Sequence, residues 1–161
     1  MINHVSYNQN YPNIFATEQK RLLPLVSGKV QIIHIGSTAI PRMSGKGIID
    51  ILIVVPVENV AVVSKELAPS GLFLRENAGS SGRIFFSDKP LGSSDVRFHY
   101  HLVAEGTSDH LNPIIFRDYL IAHPETADEY RTLKETLAQN SATSREYLEG
   151  KAEFIQSILN K

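Results

Sequence analysis

The sequence predicts an α+β protein: a mixed, mostly antiparallel sheet with flanking helices, followed by a C-terminal helical segment. Three observations carry that expectation. Two apolar runs rich in β-branched residues, at 30–35 and 46–55, read as strands covered on both faces. The stretch 94–103 alternates, with Val96, Phe98, Tyr100 and Leu102 on one face and Asp95, Arg97, His99 and His101 on the other. Beyond the loop at 104–109 the apolar residues fall at helical spacing instead.

In chain order, Asn13 is placed to cap a helix over about 14–27, which gathers Phe15, Leu22 and Val26 near one face. The first strand ends at Gly36-Ser37, and a small-residue loop then carries Lys46 into the second strand. A helix over 58–68 brings Val60, Val63 and Leu67 together and stops at Gly71. Short strands at 72–76 and 83–88 flank Asn77-Ala78-Gly79-Ser80-Ser81-Gly82, a glycine-rich hairpin loop. Pro113 suits the first turn of a helix ending near Ala122, and Pro124 opens another that runs to Gln139. Thr143 with Glu146 makes a capping box before a last helix that turns Tyr147, Phe154, Ile158 and Leu159 inward. At 161 residues the chain is expected to form one domain, with a sheet-rich core over 11–104 and a helical segment over 109–160.

Composition narrows the function. A net charge of −1 leaves no electrostatic footprint for generic nucleic-acid or membrane-surface binding. The absence of cysteine excludes disulfides, cysteine-ligated zinc and a thiol nucleophile. The longest apolar run, 48–57, is interrupted by Asp50 and Pro56 and is too short to span a bilayer. No basic region precedes an apolar run at the N-terminus, so a cytoplasmic protein is expected.

Four groups of residues carry chemistry. Asp50 lies inside Ile48-Ile49-Asp50-Ile51-Leu52-Ile53-Val54-Val55, where an unpaired charge costs several kcal/mol to bury. A metal ion, a phosphate-bound cation or a basic partner would offset that cost; a structural aspartate accepting backbone N–H bonds is the plainer alternative. Upstream, Gly36-Ser37 closes a strand in the manner of a phosphate-binding turn, with Thr38 as a further hydroxyl donor and Lys46 as a neutralising charge. His99 and His101, two apart on one strand face, could chelate one ion together with an aspartate from a neighbouring strand, or simply form an exposed polar face. Arg117, in Phe116-Arg117-Asp118-Tyr119-Leu120, is either a phosphate clamp or a salt-bridge residue. His34 reads as a strand-end or core histidine. Neither a G-x-S-x-G elbow nor a P-loop occurs.

The order of these pieces resembles the GrpB family, which is also found as a domain fused to some bacterial dephospho-CoA kinases. The resemblance rests on His34-Ile35-Gly36-Ser37-Thr38-Ala39-Ile40-Pro41, Lys46, Ile48-Ile49-Asp50-Ile51 and His99-Tyr100-His101-Leu102-Val103. It continues through Phe116 to Leu120, His123-Pro124, Ala127, Tyr130, Leu133-Lys134, Tyr147, Lys151 and Phe154-Ile155. It implies the nucleotidyltransferase fold of DNA polymerase beta. On that pattern Gly36 and Ser37 contact phosphate and Asp50 is the first metal carboxylate. The second carboxylate position is Leu52, and the third falls on the 94–103 strand, where Asp95, His99 and His101 share a face. Arg42 stands where the family usually has glycine, and Gly47 where proline is common.

The expected function is binding of a nucleotide or other phosphorylated small molecule, with metal-dependent nucleotidyl or phosphoryl transfer as the reaction if the chain is catalytic. Gly36, Ser37, Thr38, Lys46 and Arg117 would hold the ligand. Asp50, His99 and His101 would be catalytic and would ligate a divalent ion, Mg, Mn or Zn. Two alternatives stay open: a non-catalytic accessory domain linked to coenzyme A metabolism and to dephospho-CoA kinase, and a single-metal Asp/His hydrolase.

Overall fold

A computed structural model describes residues 2–76, 78, 80 and 82–161. Its strands are β1 (Gln31–Ile35), β2 (Ile49–Val55), β3 (Phe73–Leu74), β4 (Arg83–Ser87) and β5 (Phe98–Ala104). Its helices are α1 (Tyr11–Leu22), α2 (Val60–Leu67), α3 (Ser108–Ala122), α4 (Pro124–Asn140) and α5 (Ser144–Leu159). The strands form one sheet in the order β1-β2-β5-β4-β3. Only β2 and β5 pair in parallel, so the sheet is mixed and mostly antiparallel, as expected.

Because side chains alternate along a strand, β2 divides its residues between two layers. Ile49, Ile51, Ile53 and Val55 enter the main core with Leu22 of α1, Val63 and Leu67 of α2, and Tyr100 and Leu102 of β5. Leu52 and Val54 face the other way and pack with Ile35 and Val103, against Ile114 of α3. A third cluster joins Ile40 and Met43, in the loop after β1, to Leu120, Ala127 and Tyr130 of the C-terminal helices. Each large apolar side chain buried in this way is worth about 1.5–3 kcal/mol. The third cluster therefore clamps the loop between β1 and β2 to the helical bundle. Among the described residues no helix is long and apolar enough to cross a membrane.

Several expected boundaries move, each for a local reason. The first helix starts at Tyr11, not near Ile14, with Pro12 in its first turn and Asn13 inside it; it gives way at Leu23–Leu25 to a 3-10 turn containing Pro24. The second strand begins at Ile49, because Gly45 bridges to Val5 and Gly47 takes φ 76. The fifth begins at Phe98, so Asp95 and Arg97 are not part of its polar face. The Asp88 carboxylate accepts the N–H groups of Arg97 and Phe98 at 3.0 and 3.1 Å, and Asp95 turns to Lys89 at 3.3 Å. α3 starts at Ser108, which leaves Pro113 inside it; the His110 imidazole accepts the N–H of Gly106 at 2.9 Å beside that start. The Thr143 cap forms, but Glu146 reaches back to the N–H of Ala142, one residue earlier than a standard box requires. β3 is shorter than expected, and Asn77, Gly79 and Ser81 of the hairpin loop lie outside the described residues.

Arg42, in the position that suggested glycine, has φ 63, alone among the described non-glycine residues in adopting positive φ. A residue with a Cβ costs roughly 1–2 kcal/mol there. Arg42→Gly is expected to stabilise the protein by about 0.5–1 kcal/mol after the extra entropy of an unfolded glycine is subtracted. The check is a higher urea midpoint at unchanged slope; a lower midpoint would mean that the arginine side chain contributes more than its backbone costs.

Candidate functional site

Parallel pairing of β2 with β5 sets Asp50 opposite His99 and Leu52 opposite His101. Both imidazoles thus stand on the face that carries Asp50. Nε2 of His101 lies 3.0 Å from Asp50 Oδ1, and Nδ1 of His99 lies 3.6 Å from the same oxygen. Phe85, opposite His101 on β4, packs against both rings at 5.0 and 4.9 Å. Burial pushes the Asp50 carboxyl up, but pairing with His101 and His99 outweighs it and holds the group well below the usual carboxylate range. Asp50 is therefore an anion in the folded protein. Nδ1 of His101 is buried with no hydrogen-bond partner.

A glycine makes this arrangement possible. Gly36, at φ 75 and ψ −173, occupies a backbone region that is essentially glycine-only. A Cβ there would stand 2.4 Å from Asp50 Oδ2, so the end of β1 lies directly against the carboxylate. Thr38 and His34 turn inward. The Thr38 hydroxyl is 2.8 Å from His34 Nε2 and is 2% exposed. The His34 ring stacks on Phe15 at 4.8 Å, and burial lowers its pKa to about 4. Ser37 points elsewhere: its Oγ lies 2.5 Å from where a Cβ on Gly45 would be, and Lys134 Nζ is 3.6 Å from that same point.

Lys134 and Lys151 belong to the stretches that carry the family resemblance, but the sequence assigned them no role in the site. Each follows a buried tyrosine by one helical turn, Tyr130 on α4 and Tyr147 on α5, and so projects from the packed stripe of its helix. The Lys134 ammonium donates to the Ser44 carbonyl and sits 5.1 Å from the Tyr130 ring. Lys151 lies 4.5 Å from the Tyr147 ring, and Lys46 lies 5.1 Å from it. Lys134 is 2% exposed and the other two are half-buried. Among the described residues none of the three pairs with a carboxylate. Burial, then repulsion from Lys151, lowers Lys134 to about 7; burial, then repulsion from Lys46, lowers Lys151 to about 8. Burial lowers Lys46 as well. The negative charge of Asp50 opposes the shift in all three, after that of Glu135 in the case of Lys134. The signal in the sequence is a lysine on the buried stripe, one turn after a tyrosine, in two successive helices.

Arg117 is engaged differently. Its guanidinium donates to the His34 carbonyl at 2.7 Å and to Asp118 at 2.8 Å, tying α3 to β1. Asp50, His99, His101 and Gly36 are brought together; Ser37 turns to Gly45 and Lys134, Lys46 lies over Tyr147, and Thr38 and Arg117 direct polar groups to His34.

The donor set does not match a two-magnesium centre. Such a centre clamps oxygens between ions held by several carboxylates in near-octahedral oxygen geometry. Here Leu52 is fully buried, and the nitrogens of His99 and His101 converge on the one carboxylate. Among the described residues no group of three or more histidine, aspartate or glutamate side chains is arranged to hold a metal ion.

Comparison with known proteins agrees with the fold. The model of the GrpB protein family matches residues 1–161, and the chain belongs to that family. It is 36% identical to the UPF0157 protein YqkA of Bacillus subtilis (strain 168) over 95% of its own length, and it spans 45% of that relative. A crystal structure of the conserved protein GrpB from Enterococcus faecalis superposes with a TM-score of 0.84 at 29% identity, covering 98% of this chain and 95% of that one. The Cid1 poly(U) polymerase, in a crystal structure with Mg and 3'-dATP bound, superposes at a TM-score of 0.56 and 11% identity. That match covers 90% of this chain and 49% of the polymerase, and it shows a shared nucleotidyltransferase-like fold.

Proposed function

We propose that this GrpB-family chain binds a nucleotide or another phosphorylated small molecule, its phosphate groups lying on the Gly36–Ser37 turn and among Lys46, Lys134 and Lys151. One observation carries the reading: Lys46 and Lys151 lie over one Tyr147 ring at 5.1 and 4.5 Å, Lys134 stands beside Ser37 at Gly45, and among the described residues none of the three is ion-paired to a carboxylate. Burying like charges together costs free energy unless an anion offsets it. A phosphate ester brings that charge, with oxygens able to accept several N–H bonds at once. Asp50, His99 and His101 form the reaction centre at the inner end of this site. The chemistry that suits the site is transfer of a phosphoryl or nucleotidyl group, by positioning and electrostatic stabilisation. Leu52, in place of a second carboxylate, favours a second reading in which the domain binds the ligand without transferring any group.

Titration with nucleoside mono-, di- and triphosphates and coenzyme A precursors tests the proposal, followed by thermal shift and calorimetry. A ligand at a hundred times its dissociation constant adds about 2.7 kcal/mol of stability. Affinity should fall as pH rises from 7 to 9. Lys134 and Lys151, near 7 and 8 without ligand, must be protonated to hold the anion, and the anion raises both. Binding therefore takes up protons across this window and weakens by at most about tenfold per pH unit for each proton taken up. The ligand-free protein runs the other way. The folded pKa of each lysine lies below its unfolded value, so the unfolded state holds more protons and stability rises with pH from about 7 towards 10. No response from any phosphorylated compound would refute the reading, as would affinity that rises with pH. Product formation with a bound nucleotide separates transfer from binding alone.

A further inference from the structure

Resting on that reading of the site, we infer that the phosphorylated ligand is taken up as the free anion, with no divalent cation bridging it to the protein. Three features point the same way. The first is the state of the Asp50 carboxylate at the centre. Asp50 Oδ1 is engaged by His101 at 3.0 Å and approached by His99 at 3.6 Å, while Oδ2 lies against the Gly36 backbone. A cation that bridged phosphate to protein would have to compete with the imidazoles for Oδ1 and to fit beside the Gly36 backbone at Oδ2.

The second feature is the position two residues on. A carboxylate at Leu52 would complete a cation cage, but Leu52 is fully buried among Ile35, Val54 and Val103. That environment admits neither a charge nor the waters that magnesium retains. The third is that positive charge is supplied by other means. Lys46, from the loop before β2, and Lys151 of α5 lie 5.1 and 4.5 Å from the same Tyr147 ring, and Lys134 of α4 approaches the Gly45 position that Ser37 Oγ also approaches. Glu135 is the acidic neighbour of Lys134 on α4, and it is bonded through its carboxylate to Ser44 at 2.7 Å. A metal bridge exists to neutralise phosphate against carboxylates. Among the described residues Asp50 is paired with the histidines and Glu135 is bonded to Ser44, while the three lysines are without an ion-paired carboxylate.

The test uses the whole chain and whichever nucleotide or coenzyme A precursor binds in the titration above. Its dissociation constant is measured after exhaustive dialysis against chelator, and again with magnesium, manganese or zinc added. Values within threefold of one another support the inference. A loss of more than threefold on chelation, restored by one of the ions, overturns it while leaving the phosphate reading intact. Absence of binding in every condition overturns both. Asp50→Asn adds an independent arm, with its melting curve recorded to establish folding. Removing the negative charge that faces the phosphate should tighten binding by a few fold, whereas a carboxylate that held a bridging cation would weaken binding more than threefold when lost. If the variant does not fold, the chelation arm on the native chain decides alone.

Discussion

Lys134→Met should raise the thermal midpoint of the ligand-free protein while weakening phosphate binding by at least tenfold. The two effects have one origin. Lys134 is 2% exposed, and its ammonium has the Ser44 carbonyl and the Tyr130 ring as neighbours and, among the described residues, no ion-paired carboxylate. Methionine fills similar volume without a charge to desolvate, and such exchanges are often neutral or stabilising by about 1–4 kcal/mol. A hydrogen bond to a charged partner is worth about 1.5–3 kcal/mol, so its loss lowers affinity by roughly 10- to 150-fold. Heat denaturation and calorimetric titration of the same sample measure both. A less stable variant with unchanged affinity would assign Lys134 to holding the Ser44 loop.

Gly36→Ala should cost about 2–4 kcal/mol and dismantle the Asp50 pairing. At φ 75 and ψ −173 a side chain is strained wherever it points, and here it points at Asp50 Oδ2, 2.4 Å away. Either β1 lifts from β2 or the carboxylate swings away from His101. A urea midpoint measures the first consequence, and a change in the imidazole NMR signals of His99 and His101 measures the second. Stability and signals both unchanged would mean that the turn is freer than its contacts imply. Gly71, which has φ 85 and nothing within contact of its missing Cβ, is a control for backbone strain alone.

Much of the fold is legible in the sequence because its signals are local. Alternation on β2 and β5 follows from a two-residue period, and it places Asp50, His99 and His101 on definite strand faces before any contact is known. Pro124 marks the start of α4 and Gly36 marks the turn for the same reason, whereas Pro113 lies inside α3. Strand ends are less legible. Asp95 and Arg97 continue the alternating pattern but fall outside the strand, because the carboxylate of Asp88 takes the N–H groups at its start. Thr38 and Arg117 have the right chemistry for phosphate and are turned to His34 instead.

The sequence by itself determined the α+β class, the GrpB family signature and the lone aspartate on an apolar strand. These are legible because each is a property of neighbouring residues; that Leu52 stands where a second carboxylate is expected is what the family resemblance implies. Only the tertiary structure decided that both imidazoles converge on that aspartate and that Lys134 and Lys151 gather beside Lys46. Those meetings depend on a parallel pairing between strands distant in sequence, and on the docking of α4 and α5 against Ile40 and Met43. Burial at those distant contacts, not any local period, sets where the charges end up.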